Sequence, residues 1–398
     1  MKLSFGPEVD QFRREFVSWL EENRPTDEEI AVDPPRSSAD IPEWARRWTR
    51  RMFDAGWLVP GWPPERGGRN AGPVETLVYL EEMTKARVPR TTNPQGLGIV
   101  APSLFDYGDE RQIREYAMPI LLGERSACLG MSEPGAGSDL ASLSTRAVID
   151  GDELVINGQK VWTSGANYAD FCFLFCRTDP NAPKHKGISV VLVDMQREGI
   201  TVRPLAEIVH PDRPDLNEVF FDDVRVPIDN LVGEVNNGWA MAGGSLAHER
   251  GMVWLSSVMG LEENVSRLLG EAPDALARLS PHERGVVVDR IVSSYIDSQA
   301  ARCLGYRGFA KLVRGGSAPE QALMKAFCTE SQRELSLVAA ELTGDRAPDL
   351  GDSTDRTGRG EGSWLERYFG SFGGTISAGS SEIQRNIIAE RVLGLPRA

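Results

Sequence analysis

The stretch ELVINGQKVWTSGA, Glu153 to Ala166, decides the fold class. Its β-branched and aromatic residues come in a short run, and no helical spacing of apolar positions passes through it. Asn157-Gly158 lies between LVI and QKVW, and both residues tolerate the positive φ angles of a tight primed turn, so the dipeptide predicts a β-hairpin. Three further runs of the same kind follow: FCFLFCR (Phe171 to Arg177), GISVVLVD (Gly187 to Asp194) and EVFFD (Glu218 to Asp222). No helix-length pattern separates them, which predicts antiparallel pairing in a β-barrel or sandwich.

On either side of this region the period changes. Val9, Phe12, Phe16 and Trp19/Leu20 recur at intervals of three and four, as do Ile113, Tyr116/Ala117 and Ile120. Between them GWLVPGWPPERGG (Gly56 to Gly68) reads as a loop anchored by tryptophans. Helical spacing returns near 239–270, 282–314, 318–343 and 381–393, interrupted by the apolar-poor loop DRAPDLGDSTDRTGRGEG (Asp345 to Gly362). Long helices with short connections predict an antiparallel four-helix bundle. The expected α+β organisation is an N-terminal helical domain over 1–122, a middle β domain over 123–235 and a C-terminal bundle over 236–398.

A chain of 398 residues has length for two or three domains. Its 44 Lys and Arg against 58 Asp and Glu leave a net charge of −14, which repels phosphate backbones and anionic membranes. Neither nucleic acid nor a membrane is therefore an expected partner, and an anionic substrate needs a local positive site. The five cysteines (Cys128, Cys172, Cys176, Cys303, Cys328) are scattered and read as free thiols; neither they nor His185, His210, His248 and His282 have metal-ligand spacing. No window approaches a membrane span, and MKLSFGPEVDQF does not resemble an export signal, so the expectation is a soluble cytoplasmic protein with no metal.

The chemical signal is MSEPGAGSDL (Met131 to Leu140). A nicotinamide fingerprint is disfavoured, because Leu140 stands at the third glycine position and no parallel βαβ unit encloses the motif. Its glycines free backbone N–H groups to approach an anion, and Ser132 and Ser138 add hydroxyl donors. A pyrophosphate or a flavin edge fits such a segment; taken alone, it reads equally as a Gly-rich turn.

MSEPGAGSDL, NGQKVWTSGA (Asn157 to Ala166), FDDVRVPIDNLVGE (Phe221 to Glu234) and AGSSEIQRNIIAERVLG (Ala378 to Gly394) resemble, in that order, the acyl-CoA dehydrogenase family. The resemblance extends over nearly the whole chain. It implies a flavoenzyme that removes an α-proton and a β-hydride from an acyl-CoA thioester and passes electrons to an electron-transfer flavoprotein. It further implies that Leu129, Met131, Ser132, Gly137 and Ser138 contact FAD and its phosphates, with Trp162, Thr163 and Ser164 against the ring. Ser380 and Glu382 join the cofactor-binding set, although Glu382 also suits the positive end of the last helix. Each of these residues has a packing role as its alternative.

Many members of the family carry the catalytic glutamate just before a Gly-Thr pair near the C-terminus. Here Ala378 occupies that place, and a methyl group accepts no proton. A subgroup that includes bacterial steroid side-chain dehydrogenases carries the base on the first bundle helix, directly before an arginine, where this chain has AHER (Ala247 to Arg250). Leu246, Glu249, Val253 and Gly260 follow a helical repeat, which is expected to set the Glu249 carboxylate on an apolar stripe, where burial raises a carboxyl pKa toward that of a general base. Glu249 is the expected base, and Arg250 is either structural or a substrate-positioning residue alongside Ser138.

Two family features are missing. The Arg-x-x-Phe-Gly motif that most homotetrameric members extend to a neighbour's FAD cannot be supplied in its usual form, since there is no Phe between Phe221 and Phe309; ELTGDRAPD (Glu341 to Asp349) replaces a Leu-Gly-Gly turn. The expectation is therefore a related partner subunit in an α₂β₂ assembly, with a homo-oligomer as the alternative. A flavin oxidase or oxygenase on the same scaffold, and a non-catalytic partner subunit, are the competing functions.

Overall fold

The computed structural model describes residues 5–209, 213–316, 320–344 and 363–396, leaving aside the side chains of 243–254, 321 and 322. The loop expected over Asp345 to Gly362, and with it most of ELTGDRAPD, lies outside the described residues. The chain divides into two compact units, residues 1–83 with 88–249 and residues 84–87 with 250–398.

In the first unit, the helix Pro7–Asn23 starts with proline, whose missing N–H costs nothing at a first helical position. Its Phe12, Phe16 and Leu20 lie one turn apart and are buried. Phe12 and Phe16 pack on Trp57, the anchor of the Gly-Pro loop, and Arg69 lies over the same indole with its guanidinium carbon 3.3 Å from the ring centre. Each such buried aromatic side chain contributes about 1.5–3 kcal/mol through its area removed from water.

Eight strands follow: β1 (Ala127–Gly130), β2 (Arg146–Asp150), β3 (Glu153–Lys160), β4 (Phe171–Arg177), β5 (Ile188–Asp194), β6 (Ile200–Pro204), β7 (Asn217–Pro227) and β8 (Leu231–Val232). They form a single sheet in the order β6-β7-β3-β2-β4-β5-β8, with β1 paired to β4. Leu154, Ile156, Cys172, Leu174, Val191, Val193, Val219 and Val226 share one apolar interior. The pairing is antiparallel as expected except where β1 and β2 meet β4, both in parallel.

The expected hairpin at Asn157-Gly158 is not formed. β3 runs unbroken through both residues, flanked by β2 on one side and β7 on the other. The glycine serves close approach instead: a Cβ at Gly158 would lie 2.5 Å from Thr145 Oγ1, and the ladder to β7 shifts register there. Asn157 exchanges side-chain hydrogen bonds with Asp223 across the same irregularity. The tight turn falls earlier, at Gly151-Asp152, between the paired residues Asp150 and Glu153.

Asn93 fixes the entry to β1. Its buried amide donates to the Ala127 carbonyl and accepts from the Ala127 N–H, both at 2.9 Å, as a neighbouring strand would.

In the second unit, Leu255, Val258, Leu261, Val265, Leu268 and Ala272 form the buried stripe of the long helix Gly238–Leu276. The helix Glu320–Thr343 packs against Pro281–Val313 and against Trp364–Ile376. The sequence reading missed Trp364–Ile376, although Ser363 and Glu366 form a reciprocal capping box at its start.

Candidate flavin site

The segment that follows β1 turns sharply, with Glu133 and Ala136 exchanging backbone hydrogen bonds of 3.0 Å around Pro134-Gly135. At Gly135 and Gly137 an added Cβ would meet nothing within 4 Å, and neither residue adopts a positive φ. The chain's own packing therefore gives no reason for glycine at these positions. Their bare backbone, with exposed Ser138 beside it, borders open space.

β3 delivers the second part. Val161 N–H donates to the Ser132 carbonyl at 2.9 Å, which sets Val161–Ser164 alongside Met131–Ser132. Thr163 is pinned to β7: its N–H donates to the Asn217 carbonyl at 3.0 Å, and the Asn217 amide donates back to the Thr163 carbonyl at 3.1 Å. Trp162 nevertheless stays 61% exposed, in a left-handed backbone conformation with φ 60°. An exposed indole on strained backbone is a feature that functional sites retain. Beside it the buried Thr163 hydroxyl has no hydrogen-bond partner.

Beneath this edge lies an ion pair that the sequence reading missed. Lys160 points into the sheet interior and donates to Glu133 at 2.8 Å and to the Met131 carbonyl at 2.9 Å. Glu133 also accepts from the Ser144 N–H, the Ser144 hydroxyl and the Thr145 N–H, at 2.6, 2.8 and 2.8 Å. Burial by itself would raise the Glu133 carboxyl; the Lys160 charge and these donors overcome it and hold the group down at about 2. Burial pulls Lys160 below the ordinary lysine range, and Glu133 opposes that shift. The available signal was a lysine directly following a β-rich run, obscured by reading Asn157-Gly158 as the end of the strand.

Three domain models of the acyl-CoA dehydrogenase family match: the N-terminal domain over 7–124, the middle domain over 128–224 and the C-terminal domain over 236–393. The acyl-CoA dehydrogenase IpdE1 of Mycobacterium tuberculosis is 34% identical over 397 residues, covering 98% of each chain. The chain belongs to the acyl-CoA dehydrogenase family. Among solved structures, the Tcur3481–Tcur3483 steroid acyl-CoA dehydrogenase matches with a TM-score of 0.78 and 30% identity over the full length of both chains. The ChsE4–ChsE5 complex from Mycobacterium tuberculosis matches with a TM-score of 0.76 and 30% identity, again over the full length of both. Acyl-CoA dehydrogenases are flavoproteins, and the open glycine backbone, the exposed indole and the orphaned Thr163 hydroxyl fit such a group.

Of the remaining expected positions in this acyl-CoA dehydrogenase, Leu129 lies on β1, and Ser380 and Glu382 lie in the second unit. Ser380 caps the helix Ser381–Ile387 through the Ile383 N–H. Hydrogen bonds from its own backbone and from Ser380 lower the Glu382 carboxyl, which agrees with the helix-start role. Ala378 adopts φ 51°, and the turn it occupies is gripped by Lys325, which donates to the Gly379 carbonyl at 2.6 Å. Glu249 and Arg250 flank the division between the two units, and their side chains lie outside the described residues. No helix among the described residues is long and apolar enough to cross a membrane, and no cluster there could hold a metal ion.

Proposed function

We propose that this acyl-CoA dehydrogenase desaturates an acyl-CoA thioester with FAD seated on the Met131–Ser138 and Trp162–Ser164 edge. The observation that carries the reading is the pairing of unoccupied glycine backbone with an exposed, left-handed Trp162. Gly137 N–H and the Ser132 and Ser138 hydroxyls are the donors for phosphate oxygens, Thr163 and Ser164 offer hydroxyls to the ring's polar rim, and Trp162 gives it an apolar wall. When bound, FAD supplies the acceptor for the β-hydride.

Glu249 takes the α-proton onto its carboxylate, and Arg250 positions the substrate. The support is residue chemistry: Ala378 stands where other members keep the glutamate, and AHER matches the subgroup with its base on the first bundle helix. The acyl group is of the steroid-derived class, in keeping with the 30% identity to a steroid acyl-CoA dehydrogenase. The chain works beside a related subunit that supplies the Phe-Gly contact this sequence lacks, and the relative solved as a ChsE4–ChsE5 complex supports such an assembly. An electron-transfer flavoprotein is the acceptor.

Co-expression with related acyl-CoA dehydrogenase subunits, followed by anaerobic addition of short, branched, long-chain and steroid side-chain acyl-CoAs, tests the reading. Loss of the yellow flavin colour with the steroid thioesters is expected. A chain that purifies alone with one FAD per subunit refutes the need for a partner.

A further inference from the structure

The loop that carries Gly135, Gly137 and Ser138 leaves the sheet after Gly130 and returns to it at Arg146. Pro134, Gly135 and Gly137 to Asp139 are exposed along it, while Ala136, Ala141 and Leu143 are buried. Its two ends meet at one carboxylate. Glu133 stands at the start, and its oxygens accept from Ser144 and Thr145 at the finish. Lys160, with a fully buried side chain, closes the arrangement from below by binding both Glu133 and the Met131 carbonyl.

We propose that the Glu133–Lys160 pair is a positioning device for FAD: it clamps both ends of the glycine loop and so presets the backbone donors before the cofactor arrives. This rests on the flavin reading above. The surroundings favour positioning over stability as its role. The sheet interior beside Lys160 is apolar, with Leu154, Ile156, Cys172 and Cys176 buried in it. An apolar residue of similar volume could fill the space, and replacing a buried ion pair by apolar side chains is commonly neutral or stabilising. What an apolar side chain cannot do is hold Met131, Ser144 and Thr145 in one geometry. A preset loop binds more tightly because less ordering remains at the moment of binding.

The test uses the full chain with its partner, stripped of flavin and reconstituted with FAD. Either single substitution strands a buried charge, so the informative variant is the double Glu133→Gln/Lys160→Met. We expect it to unfold cooperatively with a Tm somewhat lowered by the lost hydrogen bonds, while its FAD dissociation constant rises about ten- to a hundredfold. Wild-type FAD affinity in the double variant overturns the positioning role and leaves the flavin reading standing. A wild-type complex that takes up no FAD overturns both. Hydrogen exchange on the wild type keeps the proposal open to refutation if the variant does not fold. The Ser144 and Thr145 amides should be equally protected with and without FAD, and protection that arises only on adding FAD contradicts a preset loop.

Discussion

Two turns in this protein are each gripped by a lysine on a backbone carbonyl, and they differ in what stands beside the lysine. At Met131–Glu133 the lysine is Lys160, shared with a buried carboxylate that accepts from three further donors. At Ala378–Gly379 it is Lys325, which burial lowers and which feels Glu330 and Glu382 through space. The first turn keeps its acid and spends it on structure. The second turn has a methyl group where many relatives keep the acid that does the chemistry. Under the proposed function the proton acceptor therefore lies outside this turn, and Glu249 is the residue proposed.

The largest expected effect breaks the comparison at that point. Glu249→Gln should lower turnover by about 10²–10⁴-fold, the usual contribution of a positioned base, while FAD content is unchanged. Steady-state kinetics with flavin quantified by absorbance checks both.

The next effect concerns the retained acid. The Glu133 carboxyl is held at about 2 against an ordinary value of 4.5, so its contribution to stability is complete above pH 4.5 and is lost as pH falls toward 2. The difference is on the order of 3 kcal/mol. Urea midpoints measured from pH 5 to 2 should fall more steeply for the wild type than for Glu133→Gln/Lys160→Met.

Two smaller effects sharpen the contrast. Trp162→Gly should relieve left-handed strain and stabilise the flavin-free protein by about 1 kcal/mol, while weakening FAD binding. Thermal melts with and without FAD separate the two. Ser380→Ala removes the cap on the Ile383 N–H and should cost about 1 kcal/mol in the same melts.

Much of this was legible in the sequence. The periods of three to four around Phe12 and Phe16, and the β-rich runs from Glu153 to Asp222, gave the order of helical and sheet regions because burial imposes those spacings directly. Asn157-Gly158 misled, since a glycine needed for close approach to Thr145 looks the same as one needed for a turn. Lys160 and Glu133 stayed hidden because their meeting depends on a register that local pattern does not contain. Trp364–Ile376 was missed although Ser363 and Glu366 mark its first turn. The exposed Trp162 was named from motif resemblance; that it stays uncovered is a fact of packing alone.

Anaerobic titration of the wild-type complex with a steroid side-chain acyl-CoA bears most directly on the proposed chemistry. The flavin absorbance should bleach in the wild type and persist in Glu249→Gln at equal FAD content. Equal bleaching rates in the two proteins would contradict the account, because the proton would then be leaving without Glu249.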